Sequence, residues 1–341
     1  MSAFYITEND FKQFLSNLIR EKNVIAPVKK KSKFVFSPIE DANDIRLDYD
    51  VTILPPKKEF FPTIQTLVKF NKNQFEGCIN PKEKVIFGVH FYDIKAIYMT
   101  DLLYKEKNND RNYTANREAA TIIGSNIQSV SNRAFWASIG TELKVNGDAF
   151  LTKIKGGYVF EVFSEKGEVL LKLGKFSEAS KSNIDEAAKV NAEIFNKCPE
   201  KLKGSSSEIA KKVRGAFSNE KFWSDCARDC FSCGSCNIVC PTCYCFDVQD
   251  NWNLDQVSGE RTRYWDACLT EDFAKISLGA GATENFREAK GERFRHRFMR
   301  KSAYLNEKLG SPACVGCGRC SISCTADIAD PVNVINKIME A

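Results

Sequence analysis

Apolar residues near the start of the chain recur at helical intervals. Phe11, Phe14, Leu15, Leu18 and Ile19 fall on one face, with Thr7 and Asp10 forming a capping-box-like start. Such a stripe predicts a helix packed on a core. Further on, the apolar positions gather into short β-rich runs: FVF at 34–36, VTIL at 51–54, VIFGVHF at 85–91, FLTKI at 150–154 and YVFEVF at 158–163. Pro55, Pro56 and Pro62 punctuate one loop. The segment VIFGVHFYDIKAIYMTDLL reads as a buried strand, a turn and a helix, a unit of α/β architecture. Residues 184–197 predict another helix, and PEKLKGSSSE at 199–208 reads as a linker. The fold expected is α+β. An N-terminal α/β domain with a mixed sheet covers 1–198, a linker 199–220, and a second, mainly helical domain 221–341.

The second domain is set apart by its thiols. Twelve of the fourteen cysteines lie between Cys226 and Cys324, while Cys78 and Cys198 stand alone. Cys230, Cys233, Cys236 and Cys240 are followed by Pro241, and the same spacing returns at Cys314, Cys317, Cys320 and Cys324, there followed by Thr325. In a run of this kind three cysteines wrap one cubane cluster and the fourth reaches across to the other. The spacing therefore predicts a ferredoxin-like domain with two [4Fe-4S] clusters. Cluster one takes Cys230, Cys233, Cys236 and Cys324; cluster two takes Cys314, Cys317, Cys320 and Cys240. Gly234, Gly316 and Gly318 permit the close backbone approach that sulfur-directed N–H groups need.

Zinc and disulfides are the rival uses of so many thiols. Structural zinc favours separated C-x2-C pairs or added histidine, and this chain has only His90 and His296. A disulfide scaffold belongs to short secreted chains, whereas this one has 341 residues and a polar, acidic start, MSAFYITENDFKQFL. A reducing, anaerobic cytoplasm is expected. No apolar run approaches a membrane span, and a net charge of +5 is too small and dispersed to argue for nucleic acid. No glycine-rich nucleotide fingerprint occurs.

The stretches CFSCGSCNIVCPTCYCFDVQD, GERTRYWDACL, GERFRHRF and CVGCGRCSISC, in that order, resemble the dicluster domain of the iron-sulfur β subunit of cytoplasmic sulfhydrogenases. The A subunit of anaerobic sulfite reductases is similar. GVHFYDIKAI at 88–97 and NDRNYTANRE at 109–118 extend the likeness into the first domain. The resemblance implies a protein that passes electrons between a flavin subunit, linked to NAD(P)H or ferredoxin, and a separate catalytic subunit of hydrogenase or sulfite reductase type. Where the family continues its strand into a Cys-Asp pair, this chain has Tyr92 and Asp93.

Cys226, Cys243, Cys245 and Cys268 remain. Cys243 and Cys245 lie on one side of an extended C-x-C, and Cys268 belongs to the shared WDAC motif, so the three thiolates are candidates for a third cluster. Cys226, Asp247 or Asp266 would supply the fourth ligand; otherwise the four are small buried residues. Arg287, Arg293, Arg295, Arg297 and Arg300 form either a basic docking face for an acidic ferredoxin or an internal counter-charge to the clusters.

No constellation for substrate chemistry is legible, so no catalytic residue is assigned. The chain is expected to be an electron-relay subunit; the alternatives are a structural adaptor held together by its metal and a direct sulfur or disulfide reductase at the third cluster.

Overall fold

The computed structural model describes residues 2–139 and 147–341. Strand β1 (Ser2–Thr7), helix α1 (Glu8–Glu21) and the hairpin β2 (Val24–Lys30) and β3 (Lys33–Pro38) open the chain. A second hairpin, β4 (Ile64–Asn71) and β5 (Gln74–Gly77), precedes β6 (Lys84–His90), which runs directly into α2 (Phe91–Tyr104). There follow α3 (Arg111–Glu118), β7 (Ala120–Ser125), β8 (Ala149–Ile154), β9 (Gly157–Val162), α4 (Glu165–Leu171), β10 (Ser177–Glu178) and α5 (Lys181–Asn196).

Among the described residues these strands build an eight-stranded mixed sheet in the order β10-β1-β9-β8-β7-β6-β2-β3. Its centre, β2-β6-β7-β8, is parallel and its flanks are antiparallel. The α1 stripe behaves as its period predicts: Phe11, Phe14, Leu15 and Leu18 are buried in one core with Phe87, Leu151 and Phe160. Thr7 accepts a hydrogen bond from the Asp10 N–H at 3.1 Å, capping the helix. Ile94 and Ile97 of α2, Ile194 of α5 and Trp136 belong to a second core. VTIL at 51–54 does not become a strand. Thr52 makes one bridge to Phe34, and Pro55 with Pro56, which lack N–H donors, prevents the ladder from continuing.

The cysteine-rich half begins earlier than its composition indicates. Helix α6 (Ser206–Gly215) lies within the expected linker, yet its Ile209 and Val213 are buried in a third core with Trp223, Phe294 and Phe298. Ser205 and Glu208 close its N-terminus as a capping box, so GSSSE starts a packed helix and does not tether two bodies. Helices α7 (Glu220–Cys226) and α8 (Ser235–Ile238) follow, then two hairpins, β11 (Phe246–Trp252) with β12 (Ser258–Trp265) and β13 (Lys275–Gly279) with β14 (Ala282–Asn285). Helix α9 (Lys290–Met299) runs into a π-helical turn at Arg300–Tyr304, followed by α10 (Asn306–Leu309), α11 (Arg319–Ile322) and α12 (Pro331–Glu340).

The halves are interleaved. A four-stranded sheet, β11-β12-β4-β5, takes two strands from each half, with β12 paired to β4 from Ser258↔Asn71 to Tyr264↔Ile64. Arg263 of β12 pins the junction: it pairs with Asp110, donates to Gln65 Oε1 at 2.7 Å, and lies over the Phe61 ring at 4.6 Å. The second cysteine loop is pressed against the first half. Gly316 and Gly318 have positive φ, and a Cβ on either would stand 2.4 Å from Trp136 N or Arg133 O respectively. Only glycine fits both demands.

Candidate metal centre

Short helices α8 and α11 each carry the third cysteine of a run, Cys236 and Cys320, and pack against each other. Gly234 and Gly318 precede them in the left-handed conformation. Backbone N–H groups point at the sulfurs: Ser232 N lies 3.4 Å from Cys230 Sγ, Ser235 N–H meets Cys233, Gly316 N–H meets Cys314 and Arg319 N–H meets Cys317. Such donors stabilise sulfur-borne negative charge.

One enclosed cavity is lined by Cys240, Cys314, Cys317 and Cys320, together with Arg297, Lys301, Pro241, Val315 and Gly318. Those four cysteines are the quartet expected for cluster two, gathered from segments some seventy residues apart in sequence. Cys230, Cys236 and Cys324 share the third core, and Cys236 is within electrostatic range of both of the others. Cys233, the remaining member of that quartet, is exposed.

Burial raises the proton affinity of these thiols, to about 12 for Cys236 and about 11 for Cys314, and pushes Cys317 up further. A buried thiol of this kind becomes a thiolate when a metal takes the place of its proton. The surroundings fit an anionic group. Arg297 is buried beside Cys236, Cys320, Cys240 and Cys243, and its Nε has no hydrogen-bond partner. Lys301 faces Cys240, Cys243 and Cys314 and donates to Thr242 Oγ1 at 2.6 Å. Lys57, from the first half, donates to the carbonyls of Cys240 and Cys243 at 2.9 and 2.6 Å and sits 4.1 Å from the centre of the Trp265 ring. Among the described residues none of the three has a carboxylate within ion-pair distance. Three cations buried beside thiols call for negative charge at the thiols.

The extra cysteines divide. Cys243 hydrogen-bonds Cys240, and Cys245 hydrogen-bonds Cys268, whose sulfur also receives the Asn237 amide at 2.9 Å. The hydrogen bond within each pair lowers the proton affinity of one thiol and raises that of its partner: Cys240 is pushed well down and Cys243 up, while Cys268 falls to about 6 and Cys245 rises. Cys243 and Cys245 are also within range of each other. Cys226 is elsewhere, at the end of α7 near Lys337 of α12. Asp247 is exposed on β11 and accepts from Gln249, and Asp266 turns its Oδ1 to the Ala267 N–H and Thr270. None of these three expected fourth ligands joins Cys243, Cys245 and Cys268.

A family model for a 4Fe-4S dicluster domain matches residues 229–328. Along its whole length the chain is similar to sulfhydrogenase 2 subunit beta of Pyrococcus furiosus, 32% identical over 97% of this chain and 96% of that protein. The chain belongs to the sulfhydrogenase β-subunit family. No solved structure matches it significantly. Its dicluster domain implies two [4Fe-4S] clusters. No helix among the described residues of this sulfhydrogenase β relative is long and apolar enough to cross a membrane.

The basic stretch 287–300 is not a face. Arg293 and Arg297 are each 3% exposed and Arg287, Arg295 and Arg300 are half-buried. Arg293 donates to the carbonyls of Arg287 and Glu288 and to Ser232 Oγ. The internal counter-charge reading describes Arg297 and the docking reading does not. Sequence reasoning missed Lys57 and Lys301, since a lysine among prolines and phenylalanines or at a helix end looks like any solvated lysine.

Proposed function

We propose that this chain is an electron-relay subunit of a multi-subunit cytoplasmic oxidoreductase. Cys230, Cys233, Cys236 and Cys324 hold one [4Fe-4S] cluster, and Cys240, Cys314, Cys317 and Cys320 hold the other. The clusters supply one-electron exchange when bound. The protein's part is to anchor them with thiolates, shield them with Phe298, Val315 and Phe135, and balance their charge with Arg297, Lys301 and Lys57. The observation that carries this reading is the cavity on which Cys240 meets Cys314, Cys317 and Cys320 beside unpaired buried cations.

The electron donor is a flavin-containing subunit linked to NAD(P)H or ferredoxin, and the acceptor, or the donor in reverse flow, is a separate catalytic subunit. Similarity to a sulfhydrogenase β subunit favours a hydrogenase for that role over a sulfite reductase. Cys243, Cys245 and Cys268 supply three thiols toward a third cluster, and Cys243 hydrogen-bonds Cys240 of the second quartet.

Anaerobic purification followed by iron and labile-sulfide assay tests the reading. About eight irons per chain are expected for two cubes and about twelve for three, with a paramagnetic signal on dithionite reduction. Colourless protein without sulfide overturns it. Clusters that cannot be reduced reversibly would instead make the chain a metal-stabilised adaptor, and turnover of polysulfide or sulfite by the isolated chain would make it a reductase.

A further inference from the structure

Buried cations are distributed unevenly over the two thiol quartets. Arg297 lies between them: its electrostatic partners are Cys236 of the first quartet, Cys320 and Cys240 of the second, and then Cys243. Lys301 faces Cys240, Cys243 and Cys314 and, outside the two quartets, Cys245 and Cys268; Thr242, which takes its hydrogen bond, in turn donates to the Ala313 carbonyl at 2.7 Å. Lys57 holds the two carbonyls that bracket the Cys240–Cys243 turn. Neither lysine is among the electrostatic partners of Cys236.

The other cations near the loops do not even out this difference. Arg319, close to Cys317, is neutralised by Asp93. Arg293 approaches the first loop only through Ser232 Oγ, with its Nη1 occupied by carbonyls. The first quartet also includes the exposed Cys233, where water screens charge, whereas the second is enclosed and fixed charges act there through a lower dielectric.

We infer that Arg297 is a counter-ion shared by the two cluster sites while Lys301 and Lys57 serve the second and not the first, so that these cations hold the second site at the higher reduction potential. The inference rests on the two-cluster reading above. Reduction adds one negative charge to a cluster, and net charge and hydrogen bonding around the sulfurs set how favourable that is. Burial by itself opposes the added charge; three cations beside one quartet reverse that preference. With clusters bound, an electron entering the first site beside the exposed Cys233 would pass to the second, oxidising the first as the second is reduced. Lys301, Lys57 and Arg297 are positioning residues that touch no substrate.

The test is an EPR-monitored redox titration of the full chain, purified anaerobically. Cys233→Ser and Cys314→Ser, each altering one signal, assign the signals to the sites. In the wild-type chain the second-site signal should appear at the higher potential. Lys301→Met should lower that midpoint and leave the first unchanged, with Lys301→Arg restoring it. Arg297→Met should lower both, and Arg297→Lys should keep both near their wild-type values. Iron and sulfide assays on each sample separate a change of potential from a loss of cluster. The inference is overturned by a wild-type second site at the lower potential, or by Lys301→Met shifting neither midpoint or both equally in protein that retains its iron. Because Lys301→Met decides the matter alone, failure of Arg297→Met to fold does not protect it. Absence of iron and sulfide from the wild-type chain would overturn the two-cluster reading itself, and this inference with it.

Discussion

Arg319 and Asp93 form a two-point ion pair across the join between the halves, Nη1 to Oδ1 at 2.7 Å and Nη2 to Oδ2 at 2.6 Å. Both side chains are at most 1% exposed. Arg319 stands between Cys317 and Cys320, Asp93 is in the first turn of α2, and Thr52 accepts from Arg319 Nε and Nη2 through its carbonyl and hydroxyl at 2.8 and 2.9 Å. The pair fixes the second cysteine loop against the first half.

Removing one partner leaves the other charged and buried, which costs about 3–5 kcal/mol. Asp93→Ala should therefore lower the denaturation midpoint of the chain strongly. The double variant Asp93→Leu with Arg319→Met should recover much of the loss, because no charge is left stranded. A midpoint unaffected by Asp93→Ala would show that the pair does not form.

Iron content should distinguish the cysteines. Cys226→Ser is expected to leave iron per chain unchanged, since Cys226 packs on the third core near Lys337 and belongs to neither quartet. Cys240→Ser, which removes a thiol from the lined cavity, should lower it by about four, one cube. Iron lost in Cys226→Ser would return that residue to the ligand set.

Gly316→Ala and Gly318→Ala each combine a positive φ, worth about 1–2 kcal/mol against a side chain, with a Cβ 2.4 Å from backbone atoms. Gly310→Ala is the control: φ is +66 but nothing lies within 4 Å. The first two should reduce thermal stability and iron occupancy well beyond the control. Equal effects in all three would assign the whole cost to φ.

His296 gives the acid limb a defined sign. Burial, with Arg287 adding to it, lowers its proton affinity to about 4 from the usual 6.5. Between those values the unfolded chain binds the proton and the folded chain does not, so stability is full above pH 6.5 and falls on acidification toward pH 4. His296→Gln should flatten that part of a denaturation-versus-pH curve. A slope identical to wild type would rule out this contribution.

Legibility followed the range of the signal. The α1 stripe and the runs that became β3, β6, β8 and β9 were readable because each is fixed by its own period or apolar content. The two cysteine runs were readable because cage chemistry dictates local spacing. The β4–β5 hairpin was not, since β4 takes its partner from residues 258–264, and exposed strands such as β11 carry little apolar pattern. Arginines 287–300 looked alike in sequence although burial separates Arg297 from Arg295. The counter-ions escaped notice for the same reason: Lys57 and Cys240 are 183 positions apart, and nothing local in PPKKEFF marks which lysine turns inward.

The shared β12–β4 ladder constrains the order of events as the polypeptide leaves the ribosome. The hairpin at 64–77 emerges long before its neighbour at 258–265, and Lys57 before the turn it will hold. Until roughly three quarters of the chain has been translated, that edge has no mate. Closure of this ladder is thus a late event in synthesis, and a C-terminal portion cut from the first half would lose both the partner of β12 and the lysine that holds the Cys240–Cys243 turn.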